Sequence, residues 1–143
     1  MNSRLLAPML LGALCVSYAV VRAQSPSKSV WDGVYTDAQA EKGKALYAQN
    51  CSSCHGDTLE GGEMAPPLAG GAFISNWGGL TAGDLFDRIR TTMPLNTPGK
   101  LSREVNAGIL AYIFKFNTFP AGAAELSQRS EFLKDIRIDA SKK

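Results

Sequence analysis

Two of the chain's three cysteines and its single histidine lie within five consecutive residues, Cys51-Ser52-Ser53-Cys54-His55. No other feature constrains the chain as much, because it gathers the thiols and the imidazole at one point. With one His in 143 residues, every catalytic or metal site that needs two imidazoles is excluded, two-His zinc sites among them. Three Cys in this length exclude a disulfide scaffold. The balance of 15 Lys+Arg against 13 Asp+Glu, a formal charge of +2, supplies no basic stripe for nucleic acid. Apolar residues make up 45% of the chain, enough to fold around a core, and the length suits one domain.

The N-terminus decides which of these residues remain. One positive charge precedes Leu5, the run from Leu5 to Val21 is apolar apart from Ser17 and is broken by Pro8, and small Ala23 precedes Gln24 and Ser25. That is the layout of a secretory signal peptide over residues 1–23, with a periplasmic or otherwise exported product. A retained leader would instead anchor the protein, but a span needs about 20 apolar residues, more than this Pro-broken run offers. Cys15 follows Leu14, where a lipoprotein site wants a small residue, so Cys15 leaves with the leader. Cleavage also removes Arg4 and Arg22 and no acid, leaving 13 basic residues against 13 acidic. The expected mature protein is formally neutral, has no stable membrane span and keeps two thiols. Residues 24–36, with Pro26 and Gly33, read as an extended lead-in; 37–119 is the domain proper, and 120–143 is a C-terminal extension.

A helix is predicted from Thr36 or Asp37 to about Asn50, rich in Ala, Leu, Lys and Glu. Gly43 in its middle costs about 1 kcal/mol against Ala and so requires a packing reason; Tyr47 shares its face. The pentapeptide follows at once, and it has the c-type haem attachment pattern. Two thiols three positions apart can add to two vinyl groups on one porphyrin edge, and His55 then falls under the iron. A zinc site would need four ligands, and two Cys and one His leave it short. A thioredoxin-like pair would need a preceding strand and a βαβ context. A plain disulfide leaves His55 a coincidence.

The sixth ligand separates an electron carrier from a haem enzyme with an open iron. Met64 lies only nine residues after His55 in a Gly-rich turn, too close in sequence to cross the haem plane, and reads as packing or edge. Met93 is 38 residues downstream and is followed by Pro94, which ends the preceding helix and constrains the loop. Met93 is the expected ligand.

The helix carrying Gly43 and Tyr47, the CxxCH motif, Pro66-Pro67-Leu68, Thr92-Met93-Pro94 and the closing Ile109-Leu110-Ala111-Tyr112-Ile113 together resemble a class I cytochrome c over roughly 38–117. The resemblance implies an all-α fold wrapped round one covalently held haem c, with the first and last core helices crossing where Gly43 lets an aromatic residue approach. It maps the acceptor for the second His55 nitrogen to Pro66, with Pro67 one residue off in register, and places Leu68 against the porphyrin. Asn76 and Trp77 fall where the family often holds the propionates; Trp77 is equally compatible with plain core.

Thr81 and Asp84 form a capping-box pair for a helix whose Leu85, Phe86, Ile89 and Met93 make an apolar face, with Asp87, Arg88 and Arg90 on the solvent side, from which Arg88 or Arg90 could also approach a propionate. Ser102 caps the last main helix, with Glu104 in its first turn. The extension carries Leu126, Phe132, Leu133, Ile136 and Ile138 among charges, and either packs back or docks to a partner.

The function these readings imply is single-electron transfer, not catalysis. The lead-in Val30-Trp31-Asp32-Gly33-Val34-Tyr35 is similar to that of small cytochromes serving exported quinoprotein dehydrogenases, with a terminal oxidase or another cytochrome as acceptor. The alternative is a haem enzyme or gas sensor whose Met ligand is displaced.

Overall fold

The computed structural model describes residues 26–142. The leader expected over residues 1–23 lies outside them. A two-residue strand β1 (Lys28–Ser29) and a 3₁₀ turn (Val30–Asp32) lead into α1 (Asp37–Asn50), then α2 (Ser52–His55), α3 (Gly70–Trp77), α4 (Ala82–Thr92), α5 (Arg103–Phe116), α6 (Ser130–Leu133) and a second short strand β2 (Ile136–Arg137). The architecture is all-α with one minimal parallel strand pair, Lys28 opposite Ile136 and Ser29 opposite Arg137.

The helix starts follow from local chemistry. Thr36 accepts from Gln39 N and Ser102 from Val105 N, while Thr81 and Asp84 complete a reciprocal capping box. Each satisfies backbone donors that a helix cannot satisfy itself.

The dominant packing is α1 across α5, and Gly43 is where the two backbones meet. A Cβ on Gly43 would sit 1.9 Å from Gly108 O and 3.1 Å from Tyr112 Cβ. The partner of Gly43 is therefore chiefly the Gly108 backbone. Tyr112 adds a ring contact to Tyr47, with centroids 5.3 Å apart. Buried Ala40, Tyr47, Ile109, Leu110 and Ile113 surround the crossing. At its edge Lys115 bridges Asp37 and Glu41 across the two helices, an exposed pairing that contributes little by itself.

Two segments differ from a simple flanking role. The lead-in is not merely extended: Val30 and Tyr35 are fully buried, Ser29 caps the 3₁₀ turn, and the Tyr35 hydroxyl donates to Phe119 O. Tyr35 and Val30 bring enough apolar surface to dock, which an extended linker would leave in water. The extension packs back. Leu126, Leu133 and Ile138 are buried, although Phe132 is 55% exposed. Buried Gln39 holds both the N–H and the C=O of Leu126. Further on, Gly79 N donates to Ile138 O and Ile138 N to Leu80 O, clipping the extension to the turn between α3 and α4. Among the described residues, no helix is long and apolar enough to cross a membrane.

Candidate functional site

The site begins where α1 ends. Cys51 N donates to Tyr47 O at 2.8 Å as the helix cap, and one further turn, α2, is closed by Cys54 N and His55 N on Cys51 O and Gly56 N on Ser52 O. Cys51 and Cys54 stand three residues apart across this turn, on one side of it. Both are free thiols, Cys51 half-buried and Cys54 exposed, so the pair is not a disulfide. Burial, with a smaller contribution from Cys54, pushes the Cys51 thiol up to about 11. The Tyr47 hydroxyl donates to Gly56 O at 2.7 Å, fastening the residue after His55 to α1.

A compact loop then returns the chain to His55. Gly61 N donates to His55 O and Leu68 N to Leu59 O, while Glu60 accepts from the Thr58 amide and hydroxyl. Gly61 adopts φ +80, and a Cβ there would meet Ala65 O and Pro67 N at 2.7 Å. Only a residue without a side chain permits both the turn and the close return of the following prolines. The outcome is a contact of 2.9 Å between His55 Nδ1 and Pro66 O. A carbonyl only accepts, so Nδ1 carries the hydrogen and the Nε2 lone pair of the neutral ring is left for a metal. The contact is made by Pro66 and not Pro67.

Asn117, just past α5, holds this loop from the far side. Its Nδ2 donates to Leu68 O at 2.9 Å and its Oδ1 accepts from Gly70 N at 2.9 Å. No motif in the sequence signals this role, since its partners lie 47 and 49 residues away. Gly108 was signalled in principle: like Gly43, it is a Gly in the middle of a helix.

Met93 is the C-cap of α4, with its N–H on Ile89 O, and is half-buried against the core. Met64 is 91% exposed at the tip of the Gly-rich loop. Leu68 and Trp77 are half-buried and also pack on the core, as do Ile74, Leu101 and Val105; Asn76 is exposed. The charges on α4 are less uniformly solvated than the sequence suggests. Arg88 is exposed, but Asp87 and Arg90 are half-buried and paired at 3.4 Å, and Ser130 of α6 covers Asp87.

The donor set suits a covalently held haem. Two thiols share one turn and the adjacent imidazole keeps one ring nitrogen free, while Met93, the thioether expected with them, ends α4. A second observation comes from Arg90, whose Nε is shielded from solvent and meets no acceptor among the described residues. A solvent-excluded cationic donor suits a ligand that carries carboxylates. A zinc site finds no support among the described residues, where no group of three His, Cys, Asp or Glu could hold a metal ion.

Comparison with known proteins bears on the same segment. The family model for cytochrome c oxidase, cbb3-type, subunit III matches residues 38–113. Among solved structures, the sulfane dehydrogenase SoxCD from Paracoccus pantotrophus is similar at 28% identity and a TM-score of 0.46, covering 62% of this chain and 53% of that one. The chain thus spans about half the length of that relative. No curated protein matches.

Proposed function

Because the chain belongs to the family described as cytochrome c oxidase, cbb3-type, subunit III, and is a class I monohaem c-type cytochrome, we propose that it is an exported carrier of single electrons. In this reading Cys51 and Cys54 would hold one haem c covalently, and His55 and Met93 would ligate its iron. The observation that carries the reading is the 2.9 Å contact of His55 Nδ1 with Pro66 O. It fixes ring orientation and tautomer and raises the basicity of Nε2. When bound, haem supplies a ferric/ferrous couple whose potential a Met ligand raises relative to stronger donors.

The polypeptide's part is to hold, orient and exclude. The turn Cys51–His55 presents both thiols and the imidazole from one short segment. Asn117 and Gly61 keep Pro66 against His55. Leu68 and Trp77 would pack on the porphyrin and keep water away. Met93, constrained by Pro94, would be the second ligand to the iron and would leave no open site for a substrate. Electrons enter and leave near Cys54 and the Met93-Pro94 loop, through small and short-lived encounters. We assign residues 1–23 to a signal peptide, 24–36 to the lead-in, 37–119 to the cytochrome domain and 120–143 to its extension. The donor is an exported dehydrogenase of the quinoprotein kind, and the acceptor a terminal oxidase or another cytochrome.

The test is the visible spectrum of the chain produced in a host that matures c-type cytochromes. The wild type should carry covalent haem and show the sulfur-to-ferric-iron band. Met93→Ala should abolish the band, and Met64→Ala should leave it intact. Survival of the band in Met93→Ala would exclude Met93 as ligand, and rapid carbon monoxide binding by the reduced wild type would replace the carrier with a haem enzyme or sensor.

A further inference from the structure

Arg90 lies one turn before Met93, and its partner on α4, Asp87, is held from the C-terminal extension. The approach of α6 to α4 is so close at Gly83 that a Cβ there would meet Lys134 N at 2.8 Å and Ser130 O at 3.0 Å. Ser130 Oγ donates to Asp87 Oδ2 at 2.6 Å. The other oxygen of Asp87 faces the Arg90 guanidinium at 3.4 Å. One donor of that guanidinium, Nε–H, is shielded from solvent and has no acceptor among the described residues. Leaving a buried donor unpaired is unfavourable, more so when it belongs to a charged group. Haem carries two propionate carboxylates, which are the acceptors such a donor requires.

Resting on the haem-site reading above, we infer that Arg90 donates its buried Nε–H to a haem propionate, and that Asp87 and Ser130 are positioning residues that aim it. The C-terminal extension, which lies outside the matched residues 38–113, thereby sets the electrostatic environment of the iron. A cation held near haem disfavours the ferric state, which carries one more positive charge than the ferrous state. Loss of that cation therefore lowers the midpoint potential.

The experiment is a redox titration of the haem-loaded full chain. Arg90→Gln should keep haem and its Soret band while shifting the ferric-to-ferrous ratio at fixed poise toward ferric about tenfold, or about 59 mV for a one-electron couple. Arg90→Lys, which retains the charge, should recover most of the shift. Arg88→Gln removes the same charge from an exposed position on the same helix and should change little, because solvent and salt screen it. Ser130→Ala should lower the potential by less, and by nothing further in the Arg90→Gln background. A midpoint in Arg90→Gln that is unchanged, or that moves no more than in Arg88→Gln, overturns the inference. If Arg90→Gln fails to retain haem, an unchanged midpoint in haem-loaded Ser130→Ala overturns it alone. Absence of haem from the wild type would be a different failure, that of the proposed function.

Discussion

Replacing Gly43 with Ala tests the fold at its tightest point. The added Cβ would lie 1.9 Å from Gly108 O and 2.5 Å from Gly108 C, and Cβ contacts under 3.0 Å are essentially never found. Both obstructing atoms are backbone, so no rotamer change relieves the clash. The two helices must separate by about 1.1 Å along that line, the difference between the 3.0 Å limit and the 1.9 Å contact. A gap of 0.5–1 Å already forfeits roughly a quarter to a half of the dispersion well of each contact. The side chains affected include buried Tyr47, Ile109, Leu110 and Tyr112, each contributing about 1.5–3 kcal/mol by burial. Losing about a third of that over four residues costs roughly 2–4 kcal/mol. The better helix propensity of Ala returns about 1 kcal/mol, so the net loss is about 1–3 kcal/mol, a large share of a typical stability of about 5–15 kcal/mol. In guanidinium, with a slope of roughly 3 kcal/mol/M, the unfolding midpoint of the haem-loaded protein should fall by about 0.3–1 M by far-UV circular dichroism. Gly71→Ala is the matched control. It lies in α3, where a Cβ would meet nothing within 4 Å, and propensity alone should raise the midpoint slightly. A Gly43→Ala protein as stable as the wild type would refute the close crossing.

Other perturbations reach the site and its surroundings. Asn117→Ala should cost about 1–3 kcal/mol, because it leaves Leu68 O and Gly70 N without their partner; amide exchange over residues 66–70 should accelerate, and unchanged exchange would show that Asn117 does not hold the loop. Hydrogen bonds from Lys115, Thr58 and Ser27 hold Glu41, Glu60 and Asp135, respectively, below their ordinary carboxylate values. A lowered folded pKa adds stability above the ordinary value and loses it as pH falls through the folded one. Denaturation midpoints should therefore be insensitive to these groups near neutrality and drop in acid below the ordinary carboxylate range, and stability that instead rose with acidification would contradict the sign. The proposed loss of residues 1–23 leaves 13 basic and 13 acidic residues, so electron transfer to a partner should depend only modestly on ionic strength. A steep decline in stopped-flow rate with added salt would reveal a charged docking face.

Features that depend on neighbours within one helical turn were legible in the chain. The caps at Thr36, Thr81 and Ser102, the end of α1 at Asn50 and the thiol–thiol–imidazole turn are all relations over three or four positions. The mid-helix Gly43 announced a close contact because its propensity penalty required one. The identity of the contact was another matter. An aromatic was expected and the Gly108 backbone leads, because the exact azimuth of two crossing helices is set by the whole interface.

The separation between sequence and tertiary structure follows contact range. The sequence by itself put Cys51, Cys54 and His55 within five residues, so that a single helical turn is enough to bring them together. It also marked Met93, through its helix-ending Pro94, as the thioether with a constrained loop. Only the tertiary structure selected Pro66 over Pro67, a choice of one residue made by the Gly61 turn and the Asn117 clamp. Only the tertiary structure turned the lead-in and the extension into packed parts of the same body, through contacts such as Gln39 with Leu126 at 87 residues' separation. Asp87 reads as a solvated charge along the helix, and is half-buried against Ser130 only because α6, 43 residues downstream, folds back on α4. Such contacts carry no local pattern, because their free energy arises from surfaces that meet after the chain has folded.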